Sequence, residues 1–168
     1  SINKRKIFIA SIFVIALKCV FFFTKHIQED ALITWRVARN IIEFGVYGYN
    51  GAEKISASTT HLYVFVGVIF QTIFGEGNFI YPLLIFNTIL LTIGIYWLGK
   101  LFFNSTIKII LFILFVSFLP PAIKMSILGM EFGILFFFYI ALIKFGFVER
   151  KKWAFIVFPI LILWTRID

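Results

Sequence analysis

Six apolar runs fill most of this 168-residue chain, at positions 7–23, 62–74, 79–99, 107–122, 130–147 and 153–165. Such a pattern constrains the fold more than any motif does. A globule this size has too little interior to hide six such segments, whereas a lipid bilayer accepts them. The residue balance agrees: 61% of the chain is hydrophobic and 14% charged, against roughly half and a quarter in soluble domains. The expected fold is an all-α membrane protein.

Charge excludes one other class. The net charge of +8 comes from short basic clusters between apolar runs and forms no continuous basic face, so nucleic acid is not the partner. The single cysteine, Cys19, lies inside the first apolar run, which rules out a disulfide framework. Lys4-Arg5-Lys6 before that run is laid out like a signal peptide, but no A-x-A-like site follows, and the run reads as a first transmembrane helix.

The hydrocarbon core needs about 20 helical residues. The run 79–99 meets this, 7–23 and 130–147 come close, and 62–74 is too short to cross undistorted. Charge parity then sets the topology. If 62–74 stays on one face, Lys4, Arg5, Lys6, Lys100, Lys108, Arg150, Lys151 and Lys152 all fall on the opposite side, the cytoplasm. Of the eight acids only Glu149 joins them, while Glu29, Asp30, Glu43, Glu53, Glu76, Glu131 and Asp168 fall outside. If 62–74 crossed, Lys100, Lys108 and the 150–152 cluster would move outside, against the positive-inside rule. The expectation is about five transmembrane helices, a cytoplasmic N-terminus, and an outer loop holding a short non-crossing helix at 62–74. In that arrangement Lys18, inside the first run, must snorkel outward or face other helices, and snorkelling is the expectation. Asn87 and Thr88 serve packing and hydrogen bonding, and Pro120-Pro121 ends the helix before it.

Residues 24–61 form the one long polar segment. Asp30 stands where an N-cap would, and Gly45 where a helix would stop. At 100° per residue, Arg36, Arg39, Asn40 and Glu43 share one stripe; Ile33, Val37, Ile41 and Phe44 form an apolar face widened by Ala31, Trp35, Ala38 and Ile42. That pattern predicts an amphipathic helix in the interface plane. The turn-rich stretch 45–51 and the polar stretch Ser56 to His61 return the chain to the membrane. Glu131, Arg166 and Asp168, at the edges of later runs, are delivered to the same outer surface as Glu29 and Asp30.

These residues, in this order, are similar to motifs of the GT-C membrane glycosyltransferases, most of all the arabinofuranosyltransferase-like ones. The stretch from Glu29 to Asn40 resembles D-D-A-[FY]-I-x-x-R-Y-A-x-N, and Gly45 to Glu53 resembles G-x-G-x-x-[FY]-N-x-G-E. Ser58 to Tyr63 stands for Y-T-S-P-L-W, Gly129-Met130-Glu131 for S-G-[LM]-E-T, and Arg166-Ile167-Asp168 for R-P-[DE]. Glu29, Leu32, Val37, His61 and Ile167 depart from those patterns. The resemblance implies transfer of a sugar from a polyprenyl-phosphate donor to a glycan or lipid acceptor on the outer face of the plasma (inner) membrane. It also implies that residues 1–168 are a single transmembrane module, the N-terminal catalytic part of a longer chain.

On that reading Asp30 is the base that deprotonates the acceptor hydroxyl, with Glu29 and Glu131 as companion acids. Arg36, Arg39 and Arg166 bind the donor phosphate as forked guanidinium groups. A divalent cation could share the phosphate charge, although the residues name no metal site. Each position also has a plainer reading: Asp30 as a helix cap, the Arg/Glu stripe as the solvated side of an interfacial helix, Glu131 as a carboxylate favoured by a helix N-terminus. The rival class is a non-enzymatic membrane protein, such as a transporter half or an assembly subunit; a transporter would gather polar or broken helices near the bilayer midplane.

Overall fold

The computed structural model describes residues 2–50 and 58–166. Among them the regular structure is entirely helical: α1 (Lys4–Phe21), α2 (Glu29–Phe44), α3 (His61–Phe74), α4 (Ile80–Phe102), α5 (Thr106–Ser117), α6 (Pro120–Ile127), α7 (Phe132–Ala141) and α8 (Ala154–Thr165). A 3-10 turn, Phe22–Thr24, extends α1, and the π-helical stretch Leu142–Val148 extends α7. Two segments, Lys4–Thr24 and Ile80–Phe102, are long and apolar enough to cross a membrane; α5 and α6, bent by 68°, make a third if the pair is one span. The chain is therefore a helical protein with two to three candidate membrane spans. Helix α3, the α7 segment (Phe132–Val148) and α8 are apolar but shorter.

The rods alternate in direction. The start of α1 meets the far end of α4, where Lys4 and Ile7 line one cleft with Tyr96 and Trp97. The Asn3 amide donates to Thr106 Oγ1 (2.7 Å), bringing the start of α5 to the same end. At the other end Phe22 and Lys25 share a pocket with Ile80 and Tyr81. Helix α7 runs alongside α4 in the same direction. Gly133 is so close to Asn87 that a Cβ there would lie 2.6 Å from its carbonyl oxygen, and near the other end Lys144 Nζ sits 5.0 Å from the Trp97 ring. Small residues allow such close approach between apolar helices. The consequence is that Lys4–Lys6, Lys100, Lys108 and the Arg150–Lys152 cluster gather at one end of the bundle. Residues 25–50 and 58–79 lie at the other.

The two largest apolar clusters among the described residues lie toward opposite ends of the bundle. Ile7 and Val14 of α1 pack with Leu91 and Ile95 of α4 and Ile109 and Ile113 of α5. At the opposite end Ala31 and Trp35 of α2 pack with Tyr63, Phe79, Leu83, Met130 and Ile134. Helix α3 lies against α2, with Gly67 facing Ala38 and Gln71 Nε2 donating to the Trp35 carbonyl (2.9 Å).

One expectation needs correction and a second needs extending. Lys18 does not reach toward the interface: it is fully buried, and its Nζ donates to the Ala122 carbonyl (3.2 Å) and Ser126 Oγ (3.0 Å) on α6. The physical reason is α6 itself, which covers this face of α1 and offers acceptors that a lone helix would lack. Helix α5 ends at Ser117, ahead of the prolines, and Pro120 and Pro121 also open α6, at the first helical positions where the missing N–H costs nothing. The run 107–122 is accordingly broken at Phe118–Leu119 and its apolar character continues into α6. Asn87 and Thr88 behave as expected, buried within α4 and bonded to helix and neighbour.

Candidate functional site

Helix α2 is set in place at both ends. At its start the Gln28 amide donates to the Leu128 carbonyl (3.0 Å), tying the helix to the turn that precedes α7. At its end Gly45 adopts φ +65°, the left-handed conformation that glycine takes without a Cβ penalty, and its N–H closes the last turn. The N-cap is Gln28 rather than Asp30, which lies within the first turn. Acidic residues are favoured there by the unsatisfied N–H groups and the helix dipole, with or without a capping bond. The Asp30 carboxylate accepts a hydrogen bond from Gln28 Nε2 (3.3 Å) and remains exposed.

The turn 128–131 is built with equal care. Gly129 sits at φ +74°, where a Cβ would fall 2.7 Å from the Trp35 ring. Tyr63 Oη donates to the Gly129 carbonyl (2.9 Å). Asn87 Nδ2 donates to Tyr63 Oη (2.7 Å) and to the Met130 carbonyl (3.2 Å). Four segments (α2, α3, α4 and the turn) thus fix the position of Glu131, which immediately precedes α7 and is fully buried. Its Oε1 accepts from Arg166 Nη1 (3.1 Å), at the end of α8. The Arg166 guanidinium is about one-third exposed and lies 5.8 Å from the centre of the Phe132 ring.

Asp30, Glu131 and Arg166 line one cavity of about 240 Å³, together with Thr34, Ser58 and Thr60. The hydroxyls are linked: Thr34 donates to the Asp30 carbonyl (3.0 Å) and bonds Thr60 (3.3 Å), which bonds Ser58 (3.0 Å). Beside it Tyr47 Oη is bonded to His61 Nδ1, and burial pushes the Tyr47 phenol above its ordinary range, so the hydroxyl keeps its proton. Three of the residues singled out from the sequence therefore meet around one space, from segments about 100 and 35 residues apart along the chain.

The others do not join them. Glu29 is exposed and lines no part of this cavity. Arg36 and Arg39 lie on the far side of α2, along a larger cleft of about 880 Å³ with Glu43, Gln71 and Glu76. The guanidinium of Arg36 sits over the Tyr49 ring at 4.3 Å and donates to its hydroxyl (3.2 Å). Arg39 is held between Glu43 (3.0 Å) and Glu76 (2.8 Å), and the bond it donates to Glu43, with the charge of both carboxylates, raises its pKa further. The stripe expected on α2 is exposed at Arg36, Arg39 and Glu43, but Asn40 is buried, donating to the Gly48 (2.8 Å) and Tyr49 (2.7 Å) carbonyls where the loop folds back. On the apolar side Val37 and Ala38 are buried and Ile33 and Ile41 half-buried, whereas Ile42 and Phe44 face outward. Asp168 and Glu53, also expected on this surface, lie outside the described residues.

Sequence reasoning missed Thr34, Tyr63 and the Lys18–Ser126 contact. Thr34 was recoverable, because position i+4 from Asp30 shares its helix face. Among the described residues no group of three His, Cys, Asp or Glu side chains could hold a metal ion. Comparison with protein-family models, characterised proteins and solved structures found no match.

Proposed function

We propose that this chain is the catalytic module of a membrane glycosyltransferase that moves a sugar from a polyprenyl-phosphate donor to an acceptor hydroxyl at the membrane surface. One observation carries the reading. An exposed carboxylate (Asp30) and a guanidinium fixed by a buried carboxylate (Arg166 on Glu131) line the same cavity at the acidic end of the bundle. Asp30 takes the proton of the acceptor hydroxyl as its oxygen bonds to the anomeric carbon, while the bond from that carbon to the phosphate oxygen breaks. Arg166 meets the charge that builds on the departing phosphate. Glu131 acts through Arg166, as a positioning residue. The small volume suits a sugar, and the threonine and serine hydroxyls supply partners for its hydroxyl groups.

The topology that supports this chemistry has five crossings: α1, α4, the bent α5–α6 pair, α7 with its extension, and α8. Helix α3 lies with α2 on the outer face. Cysteine placed at exposed positions 29 and 76 should react with an impermeant maleimide added from outside, and cysteine at 104 and 150 should not. Outside labelling at 104 refutes this arrangement.

The activity itself is tested with the full-length protein in vesicles supplied with labelled polyprenyl-phosphate sugars and an extract of envelope glycans and lipids. Glu131→Gln should lower transfer by about tenfold to a hundredfold, since small misplacement of a positioned group costs about that much. Transfer by wild type that the Gln variant matches in full would remove the Arg166–Glu131 pair from the reaction. A transporter half would instead move its solute without chemical change, and the charge in its helices would sit at midplane. Lys18, the buried cation of α1, lies in the last turn of that helix and not at its middle.

A further inference from the structure

The cleft on the far side of α2 is unused by the reaction above, yet it is built from charged groups in a definite order. Its floor is buried Trp35, Asn40, Gln71 and Phe79, and its rim carries exposed Leu32 and Phe44. Phe79 and Ile80 stand at the start of α4, whose 23 residues span about 34 Å. A helix of that length has its ends at headgroup depth, so the cleft opens at that level, with apolar residues at its lip.

The charges sum to zero: two arginines against two glutamates. They are not paired evenly. Arg39 holds both Glu43 and Glu76, which leaves one negative charge in excess around it. Arg36, one turn earlier on the helix, has no carboxylate partner among the described residues and rests on Tyr49, with only one of its five N–H donors used there. A positive site and a negative site therefore stand about 4.5 Å apart along the helix axis.

We infer that this cleft binds a zwitterionic phospholipid of the ethanolamine type, with its phosphate on Arg36, its primary ammonium between Glu43 and Glu76, and its acyl chains passing over Leu32, Phe44 and Ile80. Charge complementarity selects this occupant. A phosphatidylglycerol head meets the two carboxylates with no ammonium, and a phosphatidylserine head adds a carboxylate of its own to theirs. A choline head has the right charges but no N–H to donate. An ethanolamine head satisfies both ends, as charge-assisted hydrogen bonds require.

The test uses the full-length protein in nanodiscs of phosphatidylcholine doped equally with phosphatidylethanolamine and phosphatidylglycerol. Co-purifying lipid is counted by native mass spectrometry after mild extraction. Wild type should retain phosphatidylethanolamine over phosphatidylglycerol by about tenfold, the worth of one charged hydrogen bond. Arg36→Gln should lower phosphatidylethanolamine retention by a similar factor, and Arg36→Lys, which keeps the charge and loses the fork, by less. The double variant Glu43→Gln, Glu76→Gln should erase the preference by admitting phosphatidylglycerol. All three positions are at the surface, and a melting curve for each variant confirms that it is folded. Equal retention of the two lipids by wild type, or full retention of phosphatidylethanolamine by Arg36→Gln, overturns the assignment.

Discussion

Asp30→Asn in the full-length protein should lower sugar transfer by about 10²–10⁴-fold, the usual worth of a general base, while leaving the melting temperature nearly unchanged. The expectation follows from where Asp30 sits. It is exposed in the first turn of α2, its carboxylate accepts a hydrogen bond from Gln28 Nε2, and it does not cap the helix. An amide keeps the shape and accepts the same bond through its oxygen, but it cannot take a proton. Asp30→Ala should cost stability only a few tenths of a kcal/mol, the size of a favourable first-turn charge, and should be as inactive as the Asn variant. A capping residue would show another pattern, with Asn tolerated and Ala costing about 1 kcal/mol. Turnover and unfolding of both variants, measured side by side, separate the two roles. Near wild-type turnover by the Asn variant would remove Asp30 from the chemistry.

Much of this architecture is readable from the order of residues, because the bilayer imposes one-dimensional rules. Each long apolar run became helix, since a backbone in hydrocarbon must satisfy its own N–H and C=O groups. The basic clusters share an end of the bundle because charge parity and helix alternation encode the same fact. Of the five residues expected on one surface, Asp30, Glu131 and Arg166 line one cavity, Glu29 does not, and Asp168 lies outside the described residues. What escaped depends on packing between segments far apart in the chain. Lys18 is buried because α6 folds across α1, and α6 exists as a separate helix because Pro120 and Pro121, just past the end of α5, start a new rod. Asn40 turned inward because the loop at 48–49 returns to it, a contact no helical wheel contains. The far-side placement of Arg36 and Arg39 was within reach of the same 100° count, which puts them about 240° and 180° from Asp30.

The turn at Gly129 is where a single methyl group should do most damage to the fold. The φ of +74° already disfavours any L-residue, by about 1–2 kcal/mol. A Cβ there would also stand 2.7 Å from Trp35 Cζ2 and 3.2 Å from Ala31 Cβ, and overpacking a tight core typically costs a further 1–3 kcal/mol. The indole cannot swing clear, because it is buried and meets Phe79 edge-on at 5.3 Å between ring centres. Gly129→Ala should therefore lower stability by about 2–5 kcal/mol, and Gly129→Val by more. The damage should extend to function, since the same turn carries Glu131 and is anchored by the Tyr63 and Asn87 bonds. Shrinking the neighbour separates the two contributions. In Gly129→Ala with Trp35→Leu the steric part is relieved while the backbone strain stays, so the double variant should lose less than the sum of its two single losses. Strictly additive losses in detergent-solubilised unfolding would show that Trp35 is not what excludes a side chain at position 129.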